Sequence, residues 1–288
     1  MNDIATPSVP VSTAARRPLA SGHALRQLGS VVRLELRKSF AGRRGLGTLA
    51  LAVSPLLIPL LRLLHPNFDT DVHQVAEATQ FFSILFQVYA LRMALFLACV
   101  AVFGNMIRRE VLDRTLHYYF LTPMRRELLV AAKYVTGLAI TIPLFVVSTL
   151  VAFAISYMPH DGVQEFLFRG PGLGHLGSYV LVTVLACIGY GAVFLLFGSL
   201  FKSPAIPALA VMGWEGINFL LPPLLKKISV IHYLQSLCPV PMSEGPFAIL
   251  ADAPSPWLSI PGLLILSALM VGISAWKIRR MEVSYEEE

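Results

Sequence analysis

Apolar residues gather in six long blocks, approximately 46–64, 82–107, 128–157, 176–201, 204–221 and 257–276, separated by charged or Pro- and Gly-containing stretches. An α-helix rises about 1.5 Å per residue and the hydrocarbon core of a bilayer is about 30 Å thick, so roughly 20 apolar residues make one crossing. The pattern therefore predicts an all-α polytopic membrane protein with about six transmembrane helices. The fourth and fifth blocks are divided only by Lys202 and Ser203, and Pro204 beside that charge predicts the turn between two spans. Pro55, Pro59 and Pro143 fall inside blocks, where they predict helix kinks. Ahead of the first block, Leu25, Leu28, Val32, Leu36 and Phe40 recur at helical spacing, while Arg26, Arg33 and Arg37, followed by Lys38, take another face. This pattern predicts an amphipathic helix lying in the membrane interface with its cations toward anionic lipid.

The remaining segments are short. Residues 1–22 are rich in Pro, Ser, Thr and Ala and lack a signal-peptide core, which predicts a disordered tail. Residues 23–280 read as one membrane domain, and residues 281–288 as an acidic tail.

Orientation follows from the Lys and Arg bias of short loops. Arg16, Arg17, Arg26, Arg33, Arg37, Lys38, Arg43 and Arg44 precede the first block, and Arg108, Arg109, Arg114, Arg125 and Arg126 follow the second. Lys202, Lys277, Arg279 and Arg280 continue the same side, whereas Asp69, Asp71, Glu77, Asp161 and Glu165 mark the other. Both termini are predicted in the cytoplasm, which requires an even number of spans. Trp257 and Trp276 bracket the last block as interfacial anchors would.

Composition agrees. The chain is 56% hydrophobic and 14% charged, against about a quarter charged for soluble domains, so it cannot coat a soluble surface. Its formal charge of +6 lies at the ends of apolar blocks, which points to lipid headgroups and topology and not to nucleic acid. Cys99, Cys187 and Cys238 form neither a disulfide framework nor a metal spacing.

The stretch between the second and third blocks carries the most information. Arg109, Glu110, Asp113, Arg114 and His117 alternate at helical spacing with Leu112, Leu116 and Tyr119, predicting a short charged helix with one apolar face. Thr122 suits an N-cap and Pro123 a first helical position, where the chain restarts as the third span.

Glu110, Thr115 and Leu116, followed by Leu121, Pro123, Arg125, Arg126, Glu127, Leu128 and Lys133, make this stretch resemble the loop of the ABC-2 type permeases, with Arg114 where glycine is usual. The resemblance covers most of the chain in topology and about thirty residues in motif. It implies an export permease in the plasma (inner) membrane, with residues 108–127 forming a coupling helix that docks on a separate ABC ATPase. Arg109, Glu110, Asp113, Arg114, Leu116, Arg125, Arg126 and Glu127 are its expected coupling residues. It further implies two permease subunits, as homodimer or heterodimer, and two ATPase copies, with ATP and Mg²⁺ held on the ATPase and no cofactor on this chain. Residues 222–256 resemble the outer loop in which the family places short re-entrant helices.

Two charges fall inside blocks: Arg92 in the second and Glu215 in the fifth. Each costs roughly 2.5 to 3.5 kcal/mol at mid-bilayer on insertion scales, so each needs a partner or a polar cavity. At comparable depth they are candidates for an ion pair or for a pathway lining, with Gln87, Trp214 and Asn218 as neighbours. Phe81, Phe82, Phe86, Phe96, Trp214 and Phe219 suit a lipid-like or amphipathic cargo, and equally a lipid-facing surface.

Rival functions find less support. No GxxxxGK[ST] loop is present, so the chain cannot hydrolyse ATP alone. An intramembrane protease would need a serine with a histidine in the last span, which has none, or an HExxH cluster, and the histidines are dispersed. A membrane scaffold driven by the same ATPase but moving no solute shares every feature of the permease.

Overall fold

The computed structural model describes residues 43–64, 75–106, 126–160, 162–201, 203–217, 222–226, 228–240 and 255–280. Among them the chain is entirely helical or irregular, with no strand. The expected amphipathic helix before the first span, the short charged helix of 108–125 and both tails lie outside the described residues.

Among the described residues, five helices are long and apolar enough to cross a membrane. They are α1 (Arg43–Leu64), α2 (Val75–Gly104), α3 (Arg126–Tyr157), α5 (Gly172–Leu200) and α9 (Pro256–Arg280). Shorter helices are α4 (Val163–Phe168), α6 (Ala205–Gly216), α7 (Pro223–Lys226) and α8 (Val230–Gln235). α5 is the axis of the bundle. It packs on α3, α9 and the end of α2, while α1 covers α2 and α3, and α9 also touches α3. Two stretches of α2, Leu85–Leu95 and Val100–Gly104, are wound as π-helix, a widening that recurs at functional positions.

Aromatic rings fill the core. On one half, Phe82 meets Phe153 at 5.2 Å and Tyr179 at 4.9 Å, and Phe86 meets Tyr179 at 4.8 Å, joining α2, α3 and α5. On the other half, Phe96 meets Tyr190 and Phe194. Phe82, Phe86 and Phe96 are thus core residues, which removes them from both the cargo-facing and the lipid-facing surface. Trp257 and Trp276 are exposed at the two ends of α9, as interfacial anchors are.

Glycines set how closely the helices approach. Phe103 is fully buried between Gly137 of α3 and Gly191 of α5, and a Cβ at Gly191 would stand 2.8 Å from its ring. Gly198 of α5 rests on the backbone of Gly104, and Pro204 covers Gly104 from the other side. The ends of α2, α3 and α5 are therefore in near-rigid contact at one face of the bundle, hereafter the near face.

Prolines leave carbonyls that lipid cannot satisfy. Pro55 cannot donate to the Leu51 carbonyl, and Ser54 Oγ donates to it instead at 2.8 Å. Ser148 Oγ of α3 donates to the Ala52 carbonyl at 2.5 Å, which ties α1 to α3 beside the kink.

The stretch 204–221, expected as a full span, is described only as far as Ile217. Its described helix, α6, has 12 residues and is about 18 Å long at 1.5 Å per residue, short of the 30 Å core. The chain still has to cross here. α5 ends at the near face on Gly104, and α9 also ends there, where Arg279 lies 3.5 Å from Glu127 at the start of α3. α9 therefore begins at the far face, opposite the end of α5.

Gly191→Ala should lower stability by about 1–3 kcal/mol by pressing on Phe103. Gly272→Ala, on an open part of α9 where no atom lies within 4 Å, should be neutral or gain up to about 1 kcal/mol from helix propensity. Thermal unfolding midpoints in detergent check both, and equal shifts would disprove the role given to the glycine seat.

Candidate functional site

The polar chemistry of the bundle collects in two places. One surrounds Glu215 at the end of α6. The other is the near face where residues 107–125 leave α2 and return to α3.

Glu215 is almost completely buried, with 6% of its surface exposed. Its Oε2 accepts hydrogen bonds from Ser229 Oγ (2.8 Å) and the Ile231 N–H (3.1 Å), and its Oε1 from the Val230 N–H (3.0 Å). These groups form the N-terminal end of α8, whose first N–H groups have no partner within their own helix. Ser229 stands at the N-cap position but makes no capping bond of its own. Glu215 supplies the cap from another helix, and the partial positive charge of the helix start compensates the carboxylate.

The depth of this contact gives it weight. Val230 packs against Gly189, in the middle of α5, and against α9 beside Leu263. Segment 228–240 thus packs its helix start into the interior of the bundle, against α5 and α9.

A second tether holds the same segment. Gln87 Nε2 donates to the Val240 carbonyl at 2.9 Å and to Ser83 Oγ at 2.8 Å, and Ser83 Oγ donates to the same carbonyl at 3.2 Å. Gln87 and Ser83 are buried one helical turn apart on α2.

Arg92, five residues beyond Gln87, does not pair with Glu215: no ion pair joins them among the described residues. It acts on the carboxylate by longer-range Coulombic attraction. Its Nε is buried without a hydrogen-bond partner, and so is the hydroxyl of Tyr190. Trp214 is half-buried beside Glu215 on α6, and Asn218 lies outside the described residues.

At the near face, Lys133 is buried at 1% exposure on α3. Its Nζ donates to the Met106 carbonyl at 3.3 Å, at the end of α2, where a cation is favoured at a helix C-terminus. One side chain thus ties together the two helices between which residues 107–125 run. Of the expected coupling residues, Glu127 is exposed and faces Arg279 across 3.5 Å. Arg126 opens α3, its side chain outside the description, and Arg109, Glu110, Asp113, Arg114, Leu116 and Arg125 lie wholly outside it, as do Arg33, Arg37 and Lys38 of the interfacial segment. Among the described residues no three His, Cys, Asp or Glu side chains gather as a metal site.

Sequence reasoning left out Ser83, Tyr190 and Ser229. Only Ser229 carried a signal, since a serine ahead of VIHYLQ has the form of an N-cap. Glu215→Ala should cost about 3 kcal/mol by orphaning three donors around a charge, and Ser229→Ala about 1 kcal/mol. Amide hydrogen exchange should quicken at Val230 and Ile231 in the first variant more than in the second. Unchanged protection in Glu215→Ala would disprove the cap.

No curated protein and no solved structure matches the chain. A family match does exist, over residues 46–217, which runs from α1 through the end of α6 and so takes in Arg92, Lys133 and Glu215. Spanning well over half of the sequence, this match to the ABC-2 family transporter proteins shows that the chain belongs to that family.

Proposed function

We propose that this chain is the permease subunit of an ABC exporter, driven by ATP hydrolysed on a separate ATPase. The observation that carries the reading is the Lys133–Met106 tie. It fastens α2 to α3 where residues 107–125 depart, and the Gly104–Gly198 contact extends the fastening to α5. A push on the 107–125 stretch would then move three helices together, because closely packed helices transmit displacement without absorbing it. Arg109, Glu110, Asp113, Arg114, Leu116, Arg125, Arg126 and Glu127 would receive that push on the cytoplasmic side.

Under this reading the complex holds two ATPase subunits, which bind ATP and Mg²⁺, and two permease subunits in the plasma (inner) membrane. The N- and C-termini are cytoplasmic. A lipid-like or amphipathic cargo suits a bundle whose exposed surface carries so many large apolar side chains. A scaffold that moves no solute differs only in what the motor accomplishes.

Affinity purification in mild detergent tests the reading. An ABC ATPase should accompany the wild-type chain, and Glu110→Arg or Arg126→Glu should release it with thermal stability unchanged. Lys133→Met should keep the ATPase bound but cut cargo-stimulated ATP hydrolysis about tenfold, as expected where one buried charged hydrogen bond worth roughly 1.5–3 kcal/mol transmits the motion. Purification without any nucleotide-hydrolysing companion sinks the exporter, and hydrolysis that no amphipathic cargo stimulates favours the scaffold.

A further inference from the structure

We propose that Glu215 is a two-position latch. In the arrangement seen here its carboxylate clasps residues 229–231 and closes segment 228–240 into the bundle. On opening, the carboxylate passes to Arg92 and Tyr190, and the segment is set free. The exporter reading enters only as the source of the force that opens the latch.

The closed position is fully drawn. One side chain from α6 accepts from Ser229, Val230 and Ile231, so the inner end of the segment depends on Glu215. The open position is prepared by two unused donors. Arg92 Nε and the Tyr190 hydroxyl are buried polar atoms without hydrogen bonds, an arrangement that native interiors rarely keep without a use.

Chains of contacts lead from these donors to the latch. Phe96, one turn along α2 from Arg92, holds the Tyr190 ring edge to face at 5.4 Å. Gly189, next to Tyr190, lies against Val230, whose N–H is bound to Glu215. Arg92 already attracts the carboxylate at a distance. A guanidinium and a phenol are good acceptor-seeking replacements for a hydroxyl and two amides, and the exchange needs no proton transfer.

The same motion reaches the other end of the segment. Gln87, which holds Val240, shares the π-helical stretch Leu85–Leu95 with Arg92. A turn of that stretch that advances Arg92 toward Glu215 also shifts Gln87, so both tethers answer to α2. π-helical stretches offer such a turn because their register relaxes to α-helix by a one-residue shift.

Cys238 reports the outcome. It is half-buried on the tethered segment with its Sγ directed to the Leu234 carbonyl, whereas Cys99 and Cys187 are fully buried. The purified chain in nanodiscs, with whatever subunits accompany it, is labelled with a maleimide, and the Cys238 peptide is followed by mass spectrometry. Wild type should label slowly. Ser229→Ala and Glu215→Gln should label about tenfold faster, the shift that losing a charge-assisted hydrogen bond gives. Adding Arg92→Gln or Tyr190→Phe to Ser229→Ala should return labelling toward the wild-type rate, because the released carboxylate then has nowhere to go.

A purely structural role for Arg92 and Tyr190 predicts the reverse, with the double variants labelling faster still, and that result overturns the latch. So does an unchanged rate in both Ser229→Ala and Glu215→Gln. Unfolding midpoints within a few degrees of wild type separate release of the segment from loss of the fold, and Tyr190→Phe, which removes one oxygen, serves if Arg92→Gln misfolds. None of these readouts needs nucleotide, so loss of the latch and loss of the ATPase companion are separate results.

Discussion

The interior of the bundle excludes water, and segment 228–240 brings there a helix start that water would normally satisfy. The structure answers with a carboxylate. Glu215 is costly to bury and the free N–H groups of Val230 and Ile231 are costly to leave open, yet each removes the other's cost. A hydrophobic residue at position 215 would leave the first amides of α8 without an acceptor, although Val230, Ile231 and Leu234 would still pack on α5 and α9.

The near face follows a different rule. There the contacts are steric: Phe103 seated between two glycines, Gly198 on Gly104, and Pro204 against Gly104. Close packing of this kind has little compliance, so the end of α2 cannot move without α3 and α5. The buried Lys133 adds the electrostatic counterpart at the α2 terminus. The two regions meet on the same helix, Gln87 within its π-helical stretch Leu85–Leu95 and Phe103 and Gly104 within Val100–Gly104. A helix that is rigid at one end and wound off-register along its middle suits conversion of a displacement into a rotation.

Most of the architecture was legible because the bilayer imposes one simple test, about 20 apolar residues per crossing, and five blocks pass it in the structure as in the sequence. The sixth block passed the same test and nevertheless holds a 12-residue helix. Hydropathy counts apolar residues and cannot see where Glu215 ends a helix by bonding another. Arg92 and Glu215 were conspicuous for their charge, and their nearness could be anticipated from depth alone. Their lack of direct pairing could not, since the competing partners of Glu215 are backbone amides that every residue carries. Lys133 stood within a recognisable motif, but its burial depends on the angle at which α3 leaves the near face. Ser83 and Tyr190 look like ordinary residues of apolar helices, and only the fold gives them neighbours.

A simple ion pair between Arg92 and Glu215 would have been the more economical way to neutralise two membrane charges, and its absence is informative. Such a pair, if each charge had only the other as partner, would be hard to separate in a medium of low dielectric, whereas here the carboxylate has a hydroxyl and two amides to return to. Dividing the carboxylate's bonds among a hydroxyl and two amides, with the guanidinium near but unbound, lowers the difference between two arrangements of similar energy. A transporter has to alternate between conformations with modest inputs of energy, and conformational equilibria shift only as far as the differential interactions of the two states allow. The placement of Arg92 beside a carboxylate already engaged elsewhere has the character of a switch because it keeps that difference small.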